Sequence, residues 1–155
     1  MGGRGWWMAD KEVAVNRRAF HDYFVDEHYE AGIVLTGTEV KSLRAGKIQL
    51  RDGFVRIDGH EAWLENVHIS PYTQGGYVNH EPMRPRKLLL HAEEISSLIG
   101  KVRQKGYTLV PLRVYFKRNH AKVEVGMARG ERQYDKRQAL AAADARREMA
   151  RALKR

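Results

Sequence analysis

Residues 112–127 read LRVYFKRNHAKVEVGM. Successive side chains of a strand alternate between faces. Leu112, Val114 and Phe116 therefore fall on one face, and Arg113, Tyr115 and Lys117 on the other. Beyond a turn at residues 118–120, Val123, Val125 and Met127 alternate with Lys122, Glu124 and Gly126. This pattern predicts a hairpin with one face in a core and one in water. Working outward, residues 53–69, GFVRIDGHEAWLENVHI, place Asp58 and Gly59 as a turn between two β-prone runs, a second hairpin. Residues 21–35, HDYFVDEHYEAGIVL, form a further β-prone run in which Gly32 marks a bulge or bend.

Two helices interrupt the strands. In residues 36–46, TGTEVKSLRAG, Thr36 and Glu39 make a capping box, Val40 and Leu43 face inward, and Gly46 stops the helix. In residues 91–106, HAEEISSLIGKVRQKG, an apolar stripe of Ile95, Leu98, Ile99 and Val102 ends at Gly106. Residues 72–86, rich in Gly, Pro and polar side chains, read as a long loop leading into Arg84, Arg86 and Lys87. No internal repeat is present. Short antiparallel strands with inserted helices predict a mainly β chain, a partly open OB-type antiparallel β-barrel with embedded helices. Such barrels often bind single-stranded or structured nucleic acid.

The composition agrees. With 155 residues, 43% of them hydrophobic, the chain has material for one domain plus extensions. A formal net charge of +9 favours a polyanionic partner. Cysteine is absent, which excludes disulfides, thiolate metal sites and cysteine nucleophiles. No apolar run approaches the ~20 residues of a membrane span, and the start, MGGRGWWMAD, lacks the apolar stretch of a secretory signal. A soluble cytoplasmic protein with no membrane partner is expected.

Charge concentrates at the far end. Residues 128–155 hold nine Lys or Arg against four acids, more than half the surplus of the whole chain. Large apolar or aromatic residues there are Tyr134, Leu140, Met149 and Leu153, and they form no continuous stripe for docking. Helix propensity is nonetheless high. Asp135 and Gln138 stand at capping-box spacing, and Arg147, Arg151 and Lys154 would share one basic face. Two readings are open: a segment disordered when free and helical on a polyanion, or an ordinary solvated terminus.

Signals for catalysis are weak. The seven histidines show no H-E-x-x-H spacing. His21, Asp22, Glu27 and His28 cluster in sequence, but on a strand they point to both faces and read as surface ion pairs rather than a metal site. Neither G-x-S-x-G nor a phosphate-binding glycine loop occurs. Glu30 would serve a nuclease only beside further carboxylates. We expect no catalytic residue, no metal and no cofactor.

Four blocks carry a resemblance: NRRAFHDYF at 16–24, EAGIVLTGTEVKSLRAGK at 30–47, RPRKLLLH at 84–91 and DKR at 135–137. Together, and in this order, they resemble the SsrA-binding protein (SmpB) family of bacteria, from about residue 16 to residue 155. The resemblance implies a non-enzymatic RNA-binding protein. Its partners would be tmRNA, charged with alanine and carried by elongation factor Tu, and the ribosome stalled on a message without a stop codon. It also implies three regions: a flexible extension over 1–15, a tmRNA-binding OB core over 16–130, and over 131–155 a basic tail, disordered when free and helical on the ribosome. Carried over by motif, the tmRNA surface comprises Asn16, Arg17, Arg18, His21, Tyr23, Glu30, Lys87, Leu90 and His91. Basic members would contact phosphates, and His21 and Tyr23 would stack on unpaired bases. Tyr23 and Leu90 read equally well as core. A common family form has Asn where this chain has His91.

In the tail, the resemblance implies that Tyr134 stacks on a base of the decoding centre. Asp135, Lys136, Arg137, Arg147, Arg151 and Lys154 would lie along the 16S rRNA of the empty mRNA channel. At the other end, residues 1–7 read as an upstream extension with Met8 as the usual start, or Trp6 and Trp7 as a hydrophobic contact. Rival readings are a general RNA-binding or ribosomal protein and a metal-dependent RNA-processing nuclease. The RNA that co-purifies with the protein separates all three.

Overall fold

A computed structural model describes residues 11–73 and 78–131. In chain order the elements are β1 (Lys11–Val15), α1 (Arg17–Asp22), β2 (Tyr23–Ile33), α2 (Gly37–Arg44), β3 (Ile48–Gln49) and β4 (Phe54–Asp58). There follow β5 (Glu61–Glu65), β6 (His68–Ile69), β7 (Arg86–Leu89), α3 (Ala92–Lys105), β8 (Thr108–Lys117) and β9 (His120–Glu131). One sheet of seven strands runs in the order β1-β8-β9-β2-β7-β5-β4, and β3 pairs separately with β6. Every pairing is antiparallel.

The sheet curls until its edge strand β4 comes back against β8. No backbone ladder joins those two strands; buried Val55 and Leu109 belong to one core across the gap. The molecule is thus a partly open antiparallel barrel with embedded helices, as the alternating runs predict. Its interior holds Ala31, Ile33, Leu64, Leu88, Val114, Val123 and Val125 from the strands, with Leu43 of α2 and Leu98 of α3. A second, smaller core lies outside the barrel, where Ala19 of α1 meets Val110, Leu112 and Ala128. Gly126 permits this contact: a Cβ there would stand 2.6 Å from Leu112 Cδ1, a clash that only a shift of Leu112 would relieve.

The β8–β9 hairpin forms with the expected faces except at Leu112: a bulge between Pro111 and Arg113 turns it away from Val114 and Phe116 and into the smaller core outside the barrel. Arg118 and Asn119 form the tight turn at φ 51° and 65°. His120 already pairs with Lys117, so the turn is one residue shorter than expected. In the β4–β5 hairpin Asp58 pairs with Glu61, which moves the turn to Gly59 and His60. Four elements were not expected, one of them the two-residue β3 that pairs with β6. Residues 16–22 fold as Asn16-capped α1, although residues 21 and 22 were expected to open a β-prone run; six residues with one buried side chain carry no readable stripe. Residues 11–15, expected within a flexible extension, form β1 and pair with β8. Residues 86–89, expected as the basic end of a loop, form β7, which lies between β2 and β5. The expectations for residues 1–10 and for Tyr134, Asp135, Lys136, Arg137, Arg147, Arg151 and Lys154 fall outside the described residues. Among the described residues no helix is long and apolar enough to cross a membrane.

Arg86, the first residue of β7, is fully buried, as is Glu39 of α2. Its Nε donates to Glu39 Oε2 at 2.6 Å, and the guanidinium also donates to the carbonyls of Val67 (2.7 Å) and Pro82 (3.0 Å). Glu39 Oε1 accepts from the Thr36 amide at 2.8 Å, closing the capping box, and from Arg84. Burial alone would raise the Glu39 pKa; bonds from Arg84, the Thr36 amide and Arg86 outweigh it and hold the carboxyl below its ordinary value. His80 ties the same loop down, with Nε2 2.8 Å from the Ile69 carbonyl and Nδ1 2.9 Å from Thr38 Oγ1.

Removing one partner of a buried pair strands the other charge, at a cost of about 3–5 kcal/mol. Glu39→Ala should lose that much at neutral pH in urea unfolding. A carboxylate whose pKa is depressed on folding contributes stability above its unfolded value that vanishes as pH falls through the folded value. The parent should therefore weaken from about pH 4.5, the ordinary value, downward, and Glu39→Gln should flatten that acid limb.

Candidate nucleic-acid interface

Helix α1 begins at Asn16, which is only 3% exposed. Its Oδ1 accepts from the Ala19 amide at 3.1 Å, and its Nδ2 donates to the carbonyls of Pro111 (2.9 Å) and Leu50 (3.2 Å). The amide is fully used within the fold, so Asn16 positions the surface and does not form part of it, contrary to expectation. It fixes α1 against β8 so that Arg17, Arg18 and His21 stand exposed. The Arg18 guanidinium lies 3.3 Å from Asp22 and 3.4 Å from Asp52, tying α1 to the turn before β4. His21 Nδ1 approaches Asp22 at 2.9 Å. That bond first, then Arg18, lowers the Asp22 pKa. Arg17 has no ion-pair partner among the described residues.

Beside α1, the outer face of β1, β8, β9 and β2 carries a lattice of alternating charge. Arg113 bonds to Glu124 and lies 3.6 Å from Glu12, and Glu124 reaches back across to His28 at 2.5 Å. Glu30 accepts from the Tyr115 hydroxyl at 2.5 Å and lies 3.5 Å from Lys117 Nζ. The phenol bond, then the charges of Lys117 and Lys122, hold the Glu30 carboxyl below its usual range. Burial, then Glu30, pushes the Tyr115 phenol up. Glu30 is thus kept ionised and oriented, with lone pairs left for a ligand's donors. The alternation that located the β8–β9 hairpin had already put Arg113, Tyr115 and Lys117 on this face. It also put Glu124 there; what it could not show was that β2 would bring Glu30 to them.

Farther along the same face Gly32 pairs with Leu89. Lys87, two residues earlier on β7, therefore shares its side of the sheet and lies 3.6 Å from Glu61. Leu90 is half-buried against the main core, and Tyr23 is half-buried against the smaller core under α1. Exposed His91 stands at the N-cap of α3, where its backbone N–H donates to Glu94 at 3.1 Å. Arg17, Arg18, His21, Tyr23 and Glu30 thus lie on neighbouring parts of one face, with Lys87 on β7 and His91 just beyond that strand at the start of α3. Among the described residues no three His, Asp or Glu side chains are grouped to hold a metal.

Comparisons with known proteins agree with one another. The family model described as SmpB protein matches residues 13–155. The SsrA-binding protein of Carboxydothermus hydrogenoformans is 59% identical over 145 residues, 94% of this chain and 97% of that protein. That of Acidothermus cellulolyticus is 62% identical over 143 residues, 92% of this chain and 90% of that protein. A chain in the solved structure described as "tmRNA-SmpB: a journey to the center of the bacterial ribosome" is 58% identical. It superposes with a TM-score of 0.64, covering 76% of this chain and 82% of that one.

The coupling of Glu30 to Tyr115 is directly measurable. Tyr115→Phe removes the largest influence that lowers the Glu30 pKa, so that pKa should rise toward its ordinary value when carboxyl resonances are followed by NMR. Lys117→Met should move it less. An unchanged Glu30 titration in Tyr115→Phe would show that the phenol does not hold the carboxylate.

Proposed function

The chain belongs to the SmpB family, and on that premise we propose that it binds tmRNA and serves trans-translation on stalled ribosomes. The observation that carries this reading is the single match over residues 13–155, which takes in barrel and basic tail together. In this reading the barrel binds the tRNA-like part of tmRNA, and the tail beyond Glu131 enters the decoding site and mRNA channel left empty by a truncated message. Alanyl-tmRNA arrives with elongation factor Tu, and the protein contributes binding and placement, with no covalent step of its own. It works in the cytoplasm, where ribosomes stall.

On the barrel, the RNA face is the outer surface that carries Arg17, Arg18, His21, Tyr23, Glu30, Lys87 and His91. The exposed cations take phosphates, which sets affinity and register. Glu30, ionised and held by Tyr115, accepts from base or sugar donors. In the tail, Tyr134 stacks on a decoding-centre base, while Lys136, Arg137, Arg147, Arg151 and Lys154 follow rRNA phosphates and Asp135 caps the helix. A full-length message occupies the same channel, so steric competition selects stalled ribosomes without reading sequence.

Full-length protein isolated from cells should carry tmRNA as its main bound RNA; a mixed RNA population would favour a general RNA-binding role. Glu30→Ala should weaken tmRNA binding in filter assays while leaving unfolding unchanged. Arg17→Ala and Lys87→Ala should weaken it and reduce the salt slope by up to about one unit each. Parent-like binding by all three would exclude this face.

Stopping the chain after Glu131 retains all of β9. Such a protein should keep its tmRNA affinity yet fail to support peptide tagging on ribosomes stalled at a message end. Tagging at the parent's rate would remove the tail from the mechanism.

A further inference from the structure

Between α1 and β4 the open seam of the barrel widens into a cleft of about 380 Å³, within the size range of small-ligand sites. Tyr23 and Phe54 supply its aromatic surface, Arg18 and Arg51 its positive charge, and Asp22 and Asp52 its acceptors. Phe54 is 41% exposed although it is large and apolar. The Tyr23 hydroxyl has no hydrogen-bond partner among the described residues, and Arg51 has no ion-pair partner among them. The site is nonetheless rigid. Buried Asn16 bonds both the Leu50 and Pro111 carbonyls across its floor. The turn that carries Arg51 and Asp52 is closed by the Gly53 amide on the Leu50 carbonyl at 2.9 Å and held by Asn66 on the Asp52 carbonyl at 3.0 Å. Gly53 is packed so closely that a Cβ would stand 2.6 Å from Val67 Cγ2. Arg18, between two carboxylates, is set as a planar platform.

We propose that this cleft receives one unstacked nucleobase, inserted against Phe54 and Tyr23, with Arg51 on its phosphate and the carboxylates of Asp22 and Asp52 on its amino group. Aromatic rings and an immobilised guanidinium plane are the surfaces on which splayed RNA bases stack. Carboxylates accept hydrogen bonds from exocyclic amines, so an amino-bearing base is preferred to uracil. A peptide would use the carboxylates or the arginines, but not a pair of aromatic faces beside a row of exposed cations on α1. The inference rests on the reading of the chain as a tmRNA-binding protein and adds a site to it: Arg51 and Phe54 lie outside all four family-like blocks.

The test uses full-length protein and tmRNA. Phe54→Ala should weaken binding about 5- to 150-fold, the range for loss of one base–aromatic stack, with an unchanged salt slope, since no counterion is involved. Phe54→Trp should restore affinity. Arg51→Met, at an exposed position, should weaken binding and lower the slope by up to about one unit. Ultraviolet crosslinking of the parent complex should place a single-nucleotide adduct on Tyr23 or Phe54. If Phe54→Ala binds as the parent while Glu30→Ala does not, the cleft is wrong and the tmRNA reading stands; if neither weakens, that face fails as well. Failure of Trp to restore binding, or adducts only elsewhere, would also overturn the proposal.

Discussion

The buried ion pair of Glu39 and Arg86 organises more of the molecule than its size suggests. Strand β7 is four residues long, yet among the described residues it alone hydrogen-bonds the β5–β4 hairpin to the rest of the sheet. Four residues of ladder are a weak joint. Arg86 strengthens it by reaching from the first position of β7 to α2 and to two loop carbonyls at once. The long connection after β6 is therefore tied down through an arginine rather than through apolar packing. Such a pair need not add net stability over an apolar equivalent. What it adds is geometry, because a planar guanidinium whose three nitrogens each meet a different acceptor accepts few alternative arrangements.

How legible this was from the residues depends on the range of the interaction. Local patterns were readable: the alternation of residues 113–127, the Thr36 and Glu39 box, and the apolar stripe of α3. Helix α1 was not, since it is too short to show a period and exists because Asn16 finds carbonyls at Leu50 and Pro111. Arg86 looked like part of a basic run. Nothing in RPRKLLLH says that its second arginine is buried and its Lys87 only half-buried, because that depends on a glutamate 47 residues away. Motif resemblance likewise placed Asn16 among surface residues, although its side chain holds the surface from beneath. Motifs register that a residue type is required without saying from which side.

The charge of the chain divides into two kinds. On the outer face of the barrel most charged side chains have an opposite partner, and these exposed pairs contribute little to stability. Their effect is orientation: Glu30, Arg113 and Arg18 are held in place before any ligand arrives, which reduces the ordering cost of binding. The unbalanced surplus lies largely beyond β9, where it acts over distance and falls with salt. One region defines where an RNA sits, and the other raises how often it is met.

Strand order also dictates when this protein can exist as a folded object during its own synthesis. Strand β2 is made early, but its longest partner is β9, and their registered residues include Tyr23 with Glu131. Strand β1 likewise waits for β8. Loop closure over such separations makes assembly slow. The early half of the barrel must therefore persist with unpaired strand edges, open to wrong pairing, until the last strand has been translated. A nascent copy cut short before β9 would lack the strand that pairs with both β2 and β8, so a message broken ahead of that strand yields neither a partial activity nor a competing fragment.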